Sequence, residues 1–174
     1  MPGSRRRAAV ILSLTLLSPV LMGALGQRND FDARLLAAQN RVRAGLGEPP
    51  LQWDPELALS ARSWAQYLAR TGKFEHSPDT PGAVAQGENL WAGTPGAYGP
   101  EAMVALWVSE SRNYKPGVFP NNSLTGDVED VGHYTQVIWA RTRSVGCDLE
   151  QGQSEDVLVC RYRQAGNVIG EIPV

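Results

Sequence analysis

Apolar residues recur at helical spacing soon after the start of the chain and predict a first amphipathic helix over residues 31–46. Asp30 precedes this run and is the expected N-cap. Gly45 and Gly47 are expected to end the helix, since glycine favours the conformation that closes a helix C-terminus. Residues 51–53 then form a short extended segment.

A second helix is predicted to start at Asp54-Pro55, because an N-cap residue followed by proline in the first turn is a strong start signal. Gly72 is expected to end it. Its apolar face contains Leu57, Ala61, Trp64, Ala65 and Leu68.

Gly99-Pro100 opens a third predicted helix, in which Met103, Leu106 and Trp107 share one face with Glu110. An ionised carboxylate on an apolar face has to be paired, hydrogen-bonded or neutralised. Alternatively, the last turn of the helix has already turned toward water and Glu110 is solvated. The helical spacing alone favours neither alternative.

Two irregular segments, residues 73–100 and 113–131, are rich in glycine, proline and small polar residues. The first predicts a long loop, and it contains residue types that are unusual in a disordered tether. These residues are His76, Glu88, Asn89 and Trp91. We therefore expect a functional loop.

Three strands are predicted in the last third of the chain, over residues 133–139, 145–150 and 157–163. The last two carry one cysteine each and predict a hairpin linked by Cys147 and Cys160. Helices followed by strands indicate an α+β domain with an antiparallel sheet between helical layers.

Residues 132–139 read GHYTQVIW, and β-branched and aromatic residues dominate them. Alternation would leave neither face plainly polar, which predicts a central strand that is covered on both sides. A buried histidine there needs a partner for each ring nitrogen. The candidate partners of His133 are His76, Glu88 and Glu110.

The length of 174 residues fits one domain, and residues 1–26 are set apart from it. Three arginines, an apolar run and small residues before position 27 predict a signal peptide. An uncleaved membrane anchor is the alternative, but Pro19 and the shortness of the apolar run argue against it.

Removing residues 1–26 takes away three arginines and no acid, which changes the formal charge from −2 to −5. The remaining chain has no basic stripe, so we expect no nucleic-acid partner. Cys147 and Cys160 would lie outside the cytosol and are expected to form a disulfide. By the chain-entropy estimate, a loop of this length contributes roughly 3 kcal/mol.

Four motifs in order resemble the signatures of the CAP superfamily, also called the SCP domain, which includes cysteine-rich secretory proteins, antigen 5 and pathogenesis-related 1 proteins. They are GHYTQVIW at residues 132–139, VLVCRYRQAGNV at 157–168, GENL at 87–90, and His76-Ser77. The similarity runs from about Phe31 to the C-terminus, and residues 27–174 are expected to form one such domain.

The resemblance implies a three-layer α-β-α sandwich with a central antiparallel sheet. It also implies a cavity lined by two histidines and two acids, which correspond to His76, Glu88, Glu110 and His133. On this basis Glu110 is expected to point into the cavity, where imidazoles and carboxylates share protons and hydrogen bonds.

Two imidazoles facing one space can bind zinc, so His76 and His133 are the candidate metal ligands. We expect low affinity, because a third strong ligand is not assured. The alternative is a buried hydrogen-bond network that only locks the loops to the sheet. If a bound metal polarised a water and Glu88 or Glu110 accepted its proton, the protein would be a metal-dependent hydrolase or protease.

Binding is the competing class and the one we expect. The resemblance implies a groove that accepts a small lipid, sterol or peptide, and Trp91, Tyr98, Tyr114 and Phe119 are candidates to border it. These aromatics could instead anchor the loops. No catalytic residue is assigned, because no nucleophile motif is present. We expect a monomer that is secreted, or periplasmic in a bacterium, and not inserted in a membrane after signal cleavage.

Overall fold

A four-stranded sheet lies between two helical layers in the computed structural model, which describes residues 19–79 and 81–174. Side chains are described from residue 28 onward, except at 29 and 80. The elements are α1 Pro19–Gly45, β1 Gln52–Trp53, α2 Pro55–Thr71, β2 Gly87–Gly93, α3 Pro100–Ser109, α4 Gly132–Ile138, β3 Ser144–Gln151 and β4 Asp156–Arg163. Two 3-10 turns occupy Glu110–Asn113 and Val128–Asp130.

The predicted signal peptide falls largely on residues 1–18, which lie outside the described residues, so the signal peptide stays a prediction. Within the described part of the chain, none of the helices combines the length and apolarity needed to cross a bilayer.

The sheet has the order β1-β3-β4-β2. β3, β4 and β2 are antiparallel neighbours, whereas β1 pairs with β3 in parallel through two residues only. α2 covers one face, and α1, α3 and α4 form the layer on the other. The predicted α-β-α sandwich is confirmed, with β1 as a short parallel addition to an antiparallel sheet.

Alternation along β4 divides the core between the two faces. Leu158, Cys160 and Tyr162 point toward the α1, α3 and α4 layer, and Val157 and Val159 point toward α2. All five are almost completely buried. The sheet is therefore apolar on both sides, as expected for the middle layer of a sandwich.

α2 begins and ends where the sequence predicts. Asp54 accepts hydrogen bonds from the backbone N–H groups of Glu56 and Leu57 at 2.9 and 3.3 Å, and Gly72 closes the helix with φ 67°. Gly146 of β3 lets the helix approach closely, since a Cβ there would overlap the α2 backbone.

α1 is longer than predicted, because the helix runs from Pro19 and passes through Asp30. The N-cap prediction at Asp30 is wrong, while the predicted end at Gly45 is confirmed. The Asp30 carboxylate instead lies 3.5 Å from the guanidinium of Arg34, one turn later. Such a pair is compatible with the interior of a helix.

The predicted strand over residues 133–139 is wrong, because Gly132–Ile138 forms α4. β-branched and aromatic residues favour strands only weakly, and tertiary contacts override that preference here. Both ends of α4 are held from outside the helix. The N-terminal end contacts Glu110, and Arg43 donates to the carbonyl oxygens of Val137 and Trp139.

β2 interrupts the segment that we predicted as one long loop. It is an edge strand whose partner is β4, with Asn89 opposite Cys160 and Trp91 opposite Leu158. The sequence hides it because glycines flank it and polar Glu88-Asn89 stand at its start. The helices α2 and α3, which flank this segment, lie close to their predicted positions.

The predicted hairpin and disulfide are confirmed. β3 and β4 pair antiparallel, and Cys147 lies directly opposite Cys160, to which it is bonded. Both cysteines are buried in the core between the sheet and the layer of α1 and α3. The bond therefore links the two central strands in the middle of the core.

Arg43 is fully buried and donates to four carbonyl oxygens, those of Pro49, Val137, Trp139 and Thr142, at 2.8 to 3.2 Å. Burial lowers its pKa from the usual value. The replacement Arg43→Met should leave these buried acceptors unsatisfied and lower the free energy of unfolding by about 3 kcal/mol or more. Urea unfolding followed by circular dichroism measures the change.

Arg141→Gln is the matched control, since Arg141 forms an exposed ion pair with Glu171 and should matter little. Arg43→Lys should fall between the two, because an ammonium cannot reach four acceptors in this planar arrangement. Equal unfolding midpoints for Arg43→Met and Arg141→Gln would contradict the role of Arg43.

Candidate functional site

A cluster of three charged side chains forms where β2 and β4 pair. Glu88 and Arg161 are directly opposite each other in the register, on the α2 face of the sheet. Glu88 Oε2 lies 3.0 Å from Arg161 Nη2, and Oε1 lies 2.6 Å from Nδ1 of His76. The backbone N–H of Ser77 also donates to Oε1, at 3.1 Å. The buried carboxylate therefore accepts two hydrogen bonds on Oε1, whereas Oε2 has an ion-pair contact with Arg161 but no hydrogen-bond partner among the described residues.

The surroundings of Glu88 act in opposite directions on its pKa. Burial raises it, but the hydrogen bond from His76, the charge of Arg161 and the amide of Ser77 together bring it below the usual value. The same hydrogen bond raises the pKa of His76, against the effect of burial and of Arg161. Because Glu88 is ionised and accepts, Nδ1 of His76 is the donor.

The second cluster joins the end of α3 to the start of α4. Glu110, which opens the 3-10 turn after α3, accepts the backbone N–H groups of His133 and Tyr134 on Oε2 at 2.9 and 3.0 Å. Its Oε1 lies 2.6 Å from Nδ1 of His133. Glu110 is thus paired and not solvated, which decides between the two sequence alternatives.

The ring of His133 is further fixed by packing. It lies parallel to the indole of Trp107, with 6.1 Å between ring centroids and 8° between the planes. The indole N–H of Trp107 donates to the carbonyl of Leu90 in β2, and the Asn89 amide donates to the carbonyl of His133. α3, α4 and β2 are therefore joined around this imidazole.

The four predicted residues form two histidine–carboxylate pairs, His76 with Glu88 and His133 with Glu110. Strand β2 connects the two pairs. Glu88 belongs to the first pair, and the adjacent Asn89 donates a hydrogen bond to the backbone carbonyl of His133 in the second. The side chains of Glu88 and Asn89 point to opposite faces of the strand. A single cavity shared by all four residues stays a prediction.

A groove of about 660 Å³ opens between α2 and the loop that precedes β2. Its floor contains Glu88 and Arg161, and His76 lies at its edge with 66 % of the side chain exposed. The helical wall presents Ser60, Ser63 and Trp64. The volume is in the range typical of small-molecule sites.

The described residues contain no group of three or more His, Cys, Asp or Glu side chains that could hold a metal ion. Each histidine nevertheless meets one requirement of a metal ligand. A carboxylate engages Nδ1 at 2.6 Å in both pairs, which leaves Nε2 as the coordinating atom.

Comparison with known proteins identifies the family. The profile described as "Cysteine-rich secretory protein family", CAP, matches residues 36–162. The chain belongs to the CAP family. It is 32 % identical over 173 residues to the pathogenesis-related protein PR-1 of Medicago truncatula, a match that covers 95 % of both chains. It is also 37 % identical over 129 residues to venom allergen 5 of Polybia paulista, covering 69 % of this chain and 58 % of the relative.

Solved structures agree on the CAP fold. NaASP2, whose crystal structure was determined with Zn²⁺, has a TM-score of 0.67 at 20 % identity, with 81 % of this chain and 83 % of that chain covered. The hookworm platelet inhibitor has a TM-score of 0.64 at 16 % identity, with 83 % and 74 % covered. These similarities support the α-β-α sandwich.

The four aromatic residues that we expected to border a ligand groove do not line the groove between α2 and the loop before β2. Trp91 and Phe119 are buried, and Phe119 packs edge-on against Trp139. Tyr98 packs edge-on against Trp91, and the Tyr114 ring packs against Tyr134. Burial therefore favours the alternative interpretation for Trp91 and Phe119, whereas Tyr98 is 42 % exposed.

Arg161 is a site residue that was not predicted from the sequence, and Trp64 was predicted only as part of the apolar face of a helix. Arg161 stands between two buried residues, Cys160 and Tyr162, in a strand that is otherwise apolar at its centre. A charged residue at such a position signals a buried partner. Its partner Glu88 could not be found, because β2 was not recognised as a strand.

We predict that Glu88→Gln lowers the pKa of His76, which is raised above its usual 6.5 in the wild-type protein mainly by the hydrogen bond to Glu88. Nuclear magnetic resonance titration of the imidazole resonances measures it. Glu129→Gln is the control, since Glu129 contributes only a weak electrostatic effect. An unchanged His76 pKa in Glu88→Gln would refute the assignment.

The same pair sets the pH range in which this site stabilises the fold. The stabilisation that comes from the raised pKa of His76 is complete below pH 6.5 and is lost as the pH rises through the folded-state value. The stabilisation that comes from the lowered pKa of Glu88 is complete above pH 4.5 and is lost as the pH falls through the folded-state value. The stability difference between wild type and Glu88→Gln should therefore be largest between pH 4.5 and 6.5.

Proposed function

We propose that this CAP domain works outside the cytoplasm as a binding protein for a small lipid, sterol or peptide ligand. The observation that carries the proposal is the groove of about 660 Å³ between α2 and the loop before β2. It is concave and combines apolar wall residues with polar and charged groups, which can fix the orientation of a ligand.

The walls and the floor of the groove differ in character. Trp64, Pro78 and Val84 supply apolar surface, whereas Glu88 and Arg161 place fixed charges at the floor. Trp64 is held in place, because Tyr67 stacks on it with 4.6 Å between ring centroids and its indole N–H donates to the carbonyl of Glu75. A rigid aromatic wall loses little freedom when a ligand binds.

An extracytoplasmic location is supported by the buried disulfide, since such bonds persist in oxidising compartments. The predicted signal peptide at residues 1–26 and the secretory description of the family support the same location.

We propose in addition that the two histidines bind a divalent metal such as Zn²⁺ with low affinity through Nε2. The support is the carboxylate on Nδ1 of each ring, an arrangement that orients metal-binding histidines in proteins. A bound ion would supply a Lewis acid close to the ligand groove. Glu88 and Glu110 would hold the rings, and the backbone N–H bonds to Glu110 would fix its position.

Filling the groove tests the binding function. Ser63→Trp adds a large ring to the wall formed by α2, and Gln66→Trp adds the same ring to an exposed position of the same helix outside the groove. Isothermal titration calorimetry with a panel of fatty acids, sterols and short peptides should show binding to wild type and Gln66→Trp. Binding should be lost in Ser63→Trp. Ligands that bind both variants equally would place the site elsewhere.

Zinc titration tests the metal proposal. Removing one histidine, in His76→Ala or His133→Ala, should abolish measurable binding if the two imidazoles share an ion. Glu110→Gln should weaken it by roughly 10- to 100-fold, as expected when the group that orients a ligand is changed. Arg141→Gln is the control. Zinc affinity that is equal in wild type and both alanine variants would refute the proposal.

A further inference from the structure

The C-terminal segment of the chain packs against the irregular segment between α3 and α4. Phe119 joins the two through its backbone, since its N–H donates to the carbonyl of Glu171 at 2.8 Å and its carbonyl accepts the N–H of Gly170 at 2.9 Å. The N–H of Ala140, just after α4, donates to the carbonyl of Pro173 at 2.7 Å. Three stretches of chain therefore share one region of the surface, which we call the C-terminal patch. It comprises residues 115–124, 140–143 and 168–174.

The C-terminal patch presents apolar side chains to solvent. Pro173 is buried, whereas its neighbours Ile172 and Val174 are exposed. An extended segment that is covered on one side normally alternates between apolar and polar residues, but this one is apolar on both sides. Contiguous apolar surface of this kind marks an interaction site, unlike single exposed residues. Five aliphatic side chains of the patch are between 39 and 80 % exposed, namely Val118, Val168, Ile169, Ile172 and Val174.

The charge of the C-terminal patch is opposite to that of the rest of the domain. Its charged side chains are Lys115, Arg141, Arg143 and Glu171, so three cations and one anion give +2. Residues 27–174 as a whole have a formal side-chain charge of −5, which leaves −7 outside the patch. In the part of the chain that the structure describes, Arg141 is the one cation of the patch with an ion-pair partner, Glu171.

An apolar centre with cations at its rim matches the surface of an anionic membrane. Aliphatic side chains enter the boundary between headgroups and acyl chains, while lysine and arginine are attracted to the lipid phosphates. A second copy of the chain fits less well, because a two-fold contact would place two identical patches face to face. Each copy would bring an excess of positive charge to that contact, and like charges repel.

We propose that the C-terminal patch docks the protein on the surface of an anionic phospholipid bilayer. Ile169 and Ile172 enter the bilayer interface, and Lys115 and Arg143 contact lipid phosphates. The docking is peripheral, and it goes beyond the ligand-binding function proposed above. The groove between α2 and the loop before β2 shares no lining residue with the patch, so the two sites act independently.

Sedimentation with lipid vesicles tests the docking. The exported protein is mixed with vesicles of phosphatidylcholine alone or of phosphatidylcholine and phosphatidylglycerol in equal parts, and the bound fraction is measured against lipid concentration. Affinity for the mixed vesicles should be roughly tenfold or more higher, because each cation close to an anionic surface strengthens binding about fivefold. Added salt should reduce this difference, since ions screen the attraction.

The apolar contact is tested by Ile169→Ser/Ile172→Ser. This double variant should bind the mixed vesicles roughly tenfold or more weakly than wild type, because it loses the side chains that enter the bilayer. Leu59→Ser/Leu106→Ser is the matched control, since these leucines are 59 and 50 % exposed outside the patch. The control should bind like wild type.

The charged contact is tested by Lys115→Gln/Arg143→Gln. This variant should lose roughly tenfold in affinity for the mixed vesicles and keep the wild-type affinity for phosphatidylcholine alone. Arg70→Gln/Lys73→Gln changes the net charge equally at exposed positions outside the patch and should bind like wild type. Ser63→Trp, which fills the groove, should also bind like wild type. Circular dichroism verifies that each variant is folded.

Four results would overturn the proposal. Wild type could bind both kinds of vesicle equally or bind neither, or the two patch variants could bind like wild type. Loss of vesicle binding in Ser63→Trp would show that single lipids enter the groove instead. In sedimentation velocity without lipid, a dimer that Ile169→Ser/Ile172→Ser abolishes would assign the patch to a second copy of the chain. The first two results would leave ligand binding in the groove unaffected.

Discussion

Two charged side chains from outside α4 hold this seven-residue helix at its ends, and much of the layer above the sheet depends on them. Glu110 accepts two backbone N–H groups at the N-terminal end, and Arg43 donates to two carbonyl oxygens at the C-terminal end. The charges have the signs that the helix dipole favours. A helix of this length is not stable alone, so these contacts define where α4 forms and where His133 lies.

This dependence explains which elements could be predicted from the sequence. α2 carries its own signals at Asp54 and Gly72, and the β3–β4 hairpin has regular apolar runs with one cysteine each. Those elements were predicted correctly. α4 has no cap of its own, and its β-branched and aromatic residues are typical of strands. The conformation of α4 is determined by contacts with Arg43 and Glu110, which are distant in sequence. Local propensity therefore does not predict it.

The candidate site could be predicted only in part for a similar reason. The motifs led to the two histidines and the two acids, and the apolar spacing of α3 drew attention to Glu110. The sequence does not specify which acid pairs with which histidine, because Glu88 is positioned by β2 being a strand beside β4, and His133 by the formation of α4. Arg161 escaped notice for the same reason, since its partner Glu88 was assigned to a loop.

The position of β2 at the edge of the sheet connects the two histidine–carboxylate pairs. Glu88 and Asn89 are consecutive residues on opposite faces, one toward His76 and the other toward the backbone of His133. A slip of β2 by one residue against β4 would exchange these faces, separating Glu88 from His76 and removing the Asn89 hydrogen bond to the carbonyl of His133. Gly87, packed against the Gln136 side chain, opposes such a slip. A substitution anywhere along this edge is therefore compatible with both contacts only if it preserves the alignment of β2 with β4.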